Sequence, residues 1–397
     1  MSNRVNLMSP EVRANPYPFY AELRKNAPVS QVEPGGMWAV TRYDDVVTVC
    51  KDATLFSCAG LANTTEQSWL QDNPLGESLI FLDPPQHGRL KTLVTRAFGP
   101  AVVTRLEPHM RALAAELTNG LVERRSVDFV EAFSVPMPAR VIAPLLGLDQ
   151  SLHSRFMRWA HDLTSGPATR PDDVEWQAQI RATVVEMKAY LGEVLESRRR
   201  TATGDLVSDL VRTQINGESL TDRELMGFLF VLLVAGLDTT VHLLSHSVRV
   251  LMEHPDVLAR LRAEPALIPK FIEELLRYEP PVHGMVRLTT ADVTLGGVHL
   301  PKYSPLVALV GSATRDEAYH PDGDRFNLDR TGQTSMPFGH GAHFCIGSHL
   351  AKMEARVTLE AMLPRIKGFA PGAGPVEWNM SMIVRGPTRL PVEIQPA

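Results

Sequence analysis

Cys345 stands in the stretch Phe338-Gly339-His340-Gly341-Ala342-His343-Phe344-Cys345-Ile346-Gly347, just ahead of a helix-like run. Only three cysteines occur in 397 residues, so one placed in a glycine-studded loop carries information. A lone thiolate cannot complete an ordinary metal site: zinc takes four protein ligands, and iron–sulfur clusters take several cysteines. Haem is different. Its porphyrin fills four positions on the iron, so one protein sulfur completes the site. The glycines would let backbone approach a flat macrocycle. The run Ser348 to Arg356 reads as a helix, whose orphan N–H groups would favour a thiolate at its N-terminus. Two rival readings stand beside this one: a buried packing cysteine, and zinc held by His340, His343, Cys345 and His349.

A second group of residues lies in Ala235-Gly236-Leu237-Asp238-Thr239-Thr240, inside a long helical pattern. Glycine within a helix costs about 1 kcal/mol relative to alanine, so it usually serves close packing. The Thr239 hydroxyl can bond to the preceding turn and bend the helix. Asp238 follows thirteen apolar residues, Leu225 to Leu237, and would be costly if buried without a partner. Packing through Gly236 with Asp238 at a wet edge is the plainer reading. Glu274 and Arg277 form an i, i+3 pair, ordinarily a solvated ion pair. His242 and His246 are spaced as in a zincin, but no glutamate lies between them, which leaves them ordinary helix residues.

At every fixed position the cysteine loop resembles the haem-binding signature of the cytochrome P-450 family, Phe-Gly-x-Gly-x-His-x-Cys-x-Gly. Ala235-Gly236-x-Asp238-Thr239 resembles that family's oxygen-activation motif. The resemblance implies a mainly α fold with a minor β portion and a long central helix over the haem. It implies haem b (iron protoporphyrin IX), with Cys345 as the axial ligand of its iron and dioxygen as co-substrate. Asp238 and Thr239 would relay protons, with Ala235, Gly236 and Phe338 beside the cofactor. Glu274 and Arg277 would be a buried structural pair. Asp83-Pro84-Pro85-Gln86-His87-Gly88-Arg89-Leu90-Lys91 resembles Asp-Pro-Pro-x-His-x-x-x-Arg, with lysine where the family has arginine. His87, Lys91, Arg287 and His343 would then meet the haem propionates, and Arg89 could share the role of Lys91.

By the same resemblance the substrate pocket draws on Ser57 to Leu82, the helices flanking Gly166–Pro171, the long helix near Leu232, and two late strands. Its candidates are Leu232, Val282, His283, Met285, Met382 and Ile383, with His283 and Arg385 as polar handles. No flavin or nicotinamide motif is present, so electrons would come from a ferredoxin or flavodoxin with its NAD(P)H reductase. Lys91, Lys352 and Arg356 could present positive charge to such an acidic partner.

The elements that must position these groups follow from composition and pattern. With 44% hydrophobic residues the chain can bury a large core. A net charge of −5 without a long basic run argues against nucleic acid. Three cysteines without framework spacing fit a reducing cytoplasm. The N-terminus lacks the apolar core of a signal peptide, and the longest apolar run is too short to span a bilayer. Helices are expected from Asn15 to Arg24, from Arg89 to Val122 and onward to Val211, from Asp222 to Val250 behind a Thr221–Glu224 capping box, and from Ile268 to Tyr278. Strands are expected at Val29 to Val32, Met37 to Thr41, Val293 to Leu300 and Leu306 to Val310. No linker divides residues 1–397, which read as one domain and as a monomer.

Together these readings point to a haem-thiolate monooxygenase that hydroxylates or epoxidises a hydrophobic small molecule. A peroxygenase or a rearranging P-450 is the alternative, which the Asp238–Thr239 pair argues against. A non-catalytic haem or zinc binding protein is a remoter one.

Overall fold

The computed structural model describes residues 4–64, 69–165, 173–332 and 336–397. Helix accounts for 57% of the structure and strand for 15%, so the architecture is mainly α. The long helix Asp222–Glu253 forms its axis. At its start the Thr221 hydroxyl accepts the Glu224 N–H, while the Glu224 carboxylate accepts the Thr221 N–H. The helix is long and apolar enough to cross a membrane, but 72% of its apolar window is buried inside the protein. An all-round apolar surface of this kind is what a central core helix requires. Helices Pro136–Leu146, His153–Ser165, Ile268–Tyr278 and Ser348–Met362 pack on it, and Pro100–Arg124 backs Ser348–Met362.

The main sheet has five strands in the order Val29–Val32, Met37–Val40, Pro305–Ala308, Met285–Thr289, Phe56–Ser57. Only the Met37–Val40/Pro305–Ala308 pairing is parallel. Strand periodicity puts Met285 and Arg287 on the same face of their strand. A three-stranded sheet of Ile366–Pro371, Pro391–Pro396 and Ser126–Asp128 closes the far side.

Several boundaries differ from the sequence expectation for local reasons. The Arg89 to Val122 pattern is two helices, Gln86–Ala97 and Pro100–Arg124, because proline disfavours helix in the residue before it. Val293 to Leu300 is a hairpin of Val293–Leu295 and Val298–Leu300, turned at Gly296 and Gly297 with φ of 55° and 80°. The strand beginning at Pro305 stops at Ala308, and Val310–Ala313 is a short helix. The expected late strand at 382–385 is reduced to a single bridge, Val282 to Val384. The expected break at Gly166–Pro171 lies outside the described residues.

Candidate cofactor and active site

A cavity of about 290 Å³ lies between the long helix and the cysteine loop. The long helix presents Phe228, Leu232, Ala235, Gly236, Thr239 and Leu243 to it, a face that recurs every three or four residues. The opposite wall is Phe338, His343, Cys345, Ile346 and Leu350. Val282 and Met285 close one side, and Leu79, Ile80, His87 and Lys91 the other. Thr239 and Cys345, 106 residues apart in sequence, thus share one apolar chamber.

The loop that carries the sulfur is held by its own backbone. The Cys345 N–H donates to the Phe338 carbonyl at 2.9 Å, and Gly339 N–H to Met336 O at 2.9 Å. Gly339 and Gly341 have φ of 80° and 69°, a region that side-chain-bearing residues rarely enter. A Cβ on Gly341 would also stand 3.1 Å from the Cys50 carbonyl oxygen and the Lys51 Cα. Left-handed backbone and contact with a neighbouring segment therefore demand this glycine, a reason different from approach to a macrocycle. Ser348–Met362 starts just beyond the sulfur. The Gly347 and Ser348 backbone groups and Lys91 pull the Cys345 pKa down, but burial outweighs them and raises it. The sulfur is open to the cavity yet walled in by protein, so it lacks bulk water. The helix terminus alone therefore does not offset burial; a cation bonded to the sulfur would favour the thiolate.

His87 and His343 line one edge of the cavity, with Arg287 buried near them. The rings of His87 and His343 lie 4.2 Å apart, and His343 Nε2 is buried without a partner. Arg287 is buried, its Nη1 donating to Val286 O at 2.8 Å, and its charge reaches both histidines. Burial, then the fields of His87, Arg287 and Lys91, hold His343 down to about 3. A flat apolar group carrying acid substituents fits this arrangement: the chamber would take its body, and the orphaned His343 imidazole, with the Arg287 charge near it, would meet its acids. Arg89 is not available there, being engaged by Glu218 at 2.9 Å and Glu224 at 2.6 Å.

On the long helix the Thr239 hydroxyl donates to the Ala235 carbonyl at 2.6 Å. Asp238 does not line the chamber. It is part-buried on the adjoining face of the helix, 3.5 Å from His242 Nε2. Glu274 and Arg277 are almost fully buried away from the chamber, joined by two 2.8 Å hydrogen bonds.

Of the pocket candidates, Leu232, Val282 and Met285 line the chamber, whereas His283, Met382 and Ile383 do not. Extended backbone alternates faces, so Val282 points inward and His283 away. His283 is fully buried against Tyr17 and Tyr20, with Nδ1 3.3 Å from Tyr20 Oη. Met382 packs into the N-terminal apolar cluster, and Ile383 is exposed. Arg385 is no substrate handle: it bonds Glu279 at 2.8 Å and the Arg13 and Ala14 carbonyls. Phe228, Leu243 and Leu350 were missed in the sequence, although the 3–4 residue spacing from 228 to 243 was the available signal.

The zinc set does not assemble. His349 is exposed, and among the described residues the one trio of donor atoms within 4.8 Å is Cys58, Asp83 and His343, without Cys345. The bases expected to meet an acidic partner are already paired. Lys352 bonds Glu273 at 2.5 Å, and Arg356 bonds Glu107 at 2.9 Å and Glu360 at 3.1 Å.

Residues 5–389 match the family model for Cytochrome P450, and the chain belongs to that family. Its members are haem enzymes that use oxygen. The chain is 36% identical over 381 residues to mycinamicin IV hydroxylase/epoxidase of Micromonospora griseorubida, covering 94% of each protein. The structure of cytochrome P450 CYP109Q5 from Chondromyces apiculatus superposes with a TM-score of 0.92 at 38% identity, with full coverage of both chains. CYP109E1 from Bacillus megaterium, solved in complex with testosterone, gives 0.88 at 33% identity, covering 97% of this chain and 99% of that one.

Proposed function

We propose that the chain is a haem b monooxygenase that hydroxylates or epoxidises a hydrophobic small molecule with electrons from a separate ferredoxin or flavodoxin. The observation that carries this reading is the placement of Cys345 and Thr239 on opposite walls of one apolar chamber. In the proposal Cys345 is the axial ligand, and His87, Arg287 and His343 take the propionates. When bound, the haem supplies reductive activation of dioxygen, and the thiolate donates electron density that favours O–O cleavage.

The chain's own residues must then bring protons in and keep bulk water out. Thr239 presents its hydroxyl at the chamber wall, while Asp238, one residue earlier, is part-buried beside His242. Proton transfer by positioned groups of this kind contributes roughly 10²–10⁴-fold. The apolar wall of Phe228, Leu232, Val282 and Met285 favours ligands without charge. The chain is proposed to act as one catalytic unit in a reducing compartment, a setting that its free Cys50, Cys58 and Cys345 suit.

The deciding measurement is the spectrum of the reduced, carbon-monoxide-bound protein together with its metal content. A thiolate-type Soret band and one iron per chain are expected; zinc without that band would sink the reading. Testosterone and mycinamicin-type macrolides are the first compounds to screen by optical shift, since similar proteins bind or act on them. Thr239→Ala should divert electrons away from product while leaving the thiolate band in place.

A further inference from the structure

Lys91 is where this chain departs from its family's arginine, and its contacts are specific. Its Nζ donates to the Ala342 carbonyl at 2.5 Å and to the Phe344 carbonyl at 3.0 Å. The Phe344 carbonyl belongs to the peptide unit that ends at the Cys345 nitrogen. That nitrogen donates to Phe338 O at 2.9 Å. The one peptide plane next to the sulfur is therefore held from both sides, by Lys91 at its oxygen and by Phe338 at its N–H. An ammonium has three donors that can converge on carbonyls from a flexible stem, whereas the planar arginine fork suits a bidentate carboxylate. Two of the three are engaged here, leaving one for an acid at the chamber edge. Lys91 also reaches the loop from helix Gln86–Ala97, across about 250 residues of sequence, so the clamp ties two distant elements together.

We propose that Lys91 is a positioning residue for Cys345: it fixes the Phe344–Cys345 peptide so that the sulfur keeps its aim into the chamber. This rests on the assignment of Cys345 as the axial ligand. A propionate contact alone would make Lys91 matter for cofactor retention; a loop clamp makes it matter for keeping the sulfur ligated.

The test separates the two on the haem-loaded protein. The rate at which the thiolate-type band of the reduced, carbon-monoxide-bound form decays to the thiol type in mild urea is measured, beside haem transfer to apomyoglobin. Loss of two hydrogen bonds from a charged donor should accelerate the decay of Lys91→Met about tenfold or more, with haem transfer changed less than about twofold, since His87, Arg287 and His343 remain. Lys91→Arg keeps the charge and guards against misfolding of Lys91→Met. It should also decay faster than wild type, and amide exchange across residues 338–347 should rise in both variants. Unchanged decay in both variants, or faster haem transfer with unchanged decay, overturns the clamp. A wild-type protein with no thiolate band overturns the Cys345 assignment instead.

Discussion

Asp238 Oδ1 lies 3.5 Å from His242 Nε2, one turn further along the long helix. The imidazole is fully enclosed, and Asn379 Nδ2 approaches the same nitrogen at 3.5 Å. Asn379 is held in turn by Arg13, whose Nη2 donates to Asn379 Oδ1 at 2.8 Å. Burial lowers the His242 pKa more than Asp238 raises it, so the ring is neutral near pH 7. The histidine pair on this helix thus serves packing and polar support; His246 Nε2 meets the Arg385 carbonyl at 3.0 Å.

His242→Ala should free the Asp238 carboxylate without touching the chamber wall. Losing this polar contact to the carboxylate, worth about 1 kcal/mol, predicts roughly fivefold less product per electron consumed. Reductant consumed against product formed is the measurement, and the thiolate band should be unaltered. Unchanged coupling would show that the imidazole does not hold Asp238 in place.

All five N–H groups of Arg277 have acceptors: both Glu274 oxygens and the carbonyls of Thr314, Gly323 and Arg325. Glu274 also accepts from Asn327 N–H at 2.8 Å and lies 3.3 Å from Arg330 Nε. One ion pair therefore staples the irregular stretch from 314 to 330 to its helix. Arg277→Ala should cost about 3–5 kcal/mol, because buried Glu274 keeps only Arg330 as counter-charge and three carbonyls lose their donor. A urea midpoint equal to wild type would contradict this.

Glu354 is buried on the helix after the cysteine, with Oε2 unpartnered, and burial raises its pKa from 4.5 to about 8. Between those values the folded protein keeps a proton that the unfolded chain has released. Stability is therefore full below pH 4.5 and falls as pH rises to about 8, by an amount on the order of a few kcal/mol. Glu354→Gln should flatten that slope and raise the Tm at alkaline pH. Thermal unfolding across the pH range reads it directly; a parallel slope in the variant would refute the assignment.

Gly227 faces residues 74–78, and a Cβ there would meet Pro74 O at 2.8 Å and Ser78 N at 3.2 Å. Both are backbone atoms that cannot swing aside. Gly227→Ala should lower stability by about 1–3 kcal/mol despite alanine's better helix propensity. It should also weaken ligand-induced optical shifts, because the displaced segment leads directly into Leu79 and Ile80 on the chamber wall.

What the sequence determined by itself was local or periodic. The capping box at Thr221, the helix Ile268–Tyr278 and the strand Val29–Val32 each follow from residues near in sequence. The cysteine loop was equally legible, because a thiolate among glycines before a helix admits few chemistries. Tertiary structure alone decided what lies opposite what. Lys91 could be read as a base but not as a clamp, because its acceptors are carbonyls about 250 residues away that no side-chain pattern encodes. His283 and Arg385 looked like pocket handles until strand alternation and the buried Glu279 drew them elsewhere. Backbone carbonyls and buried counter-charges carry no sequence signature of their own, and only the fold brings them within reach.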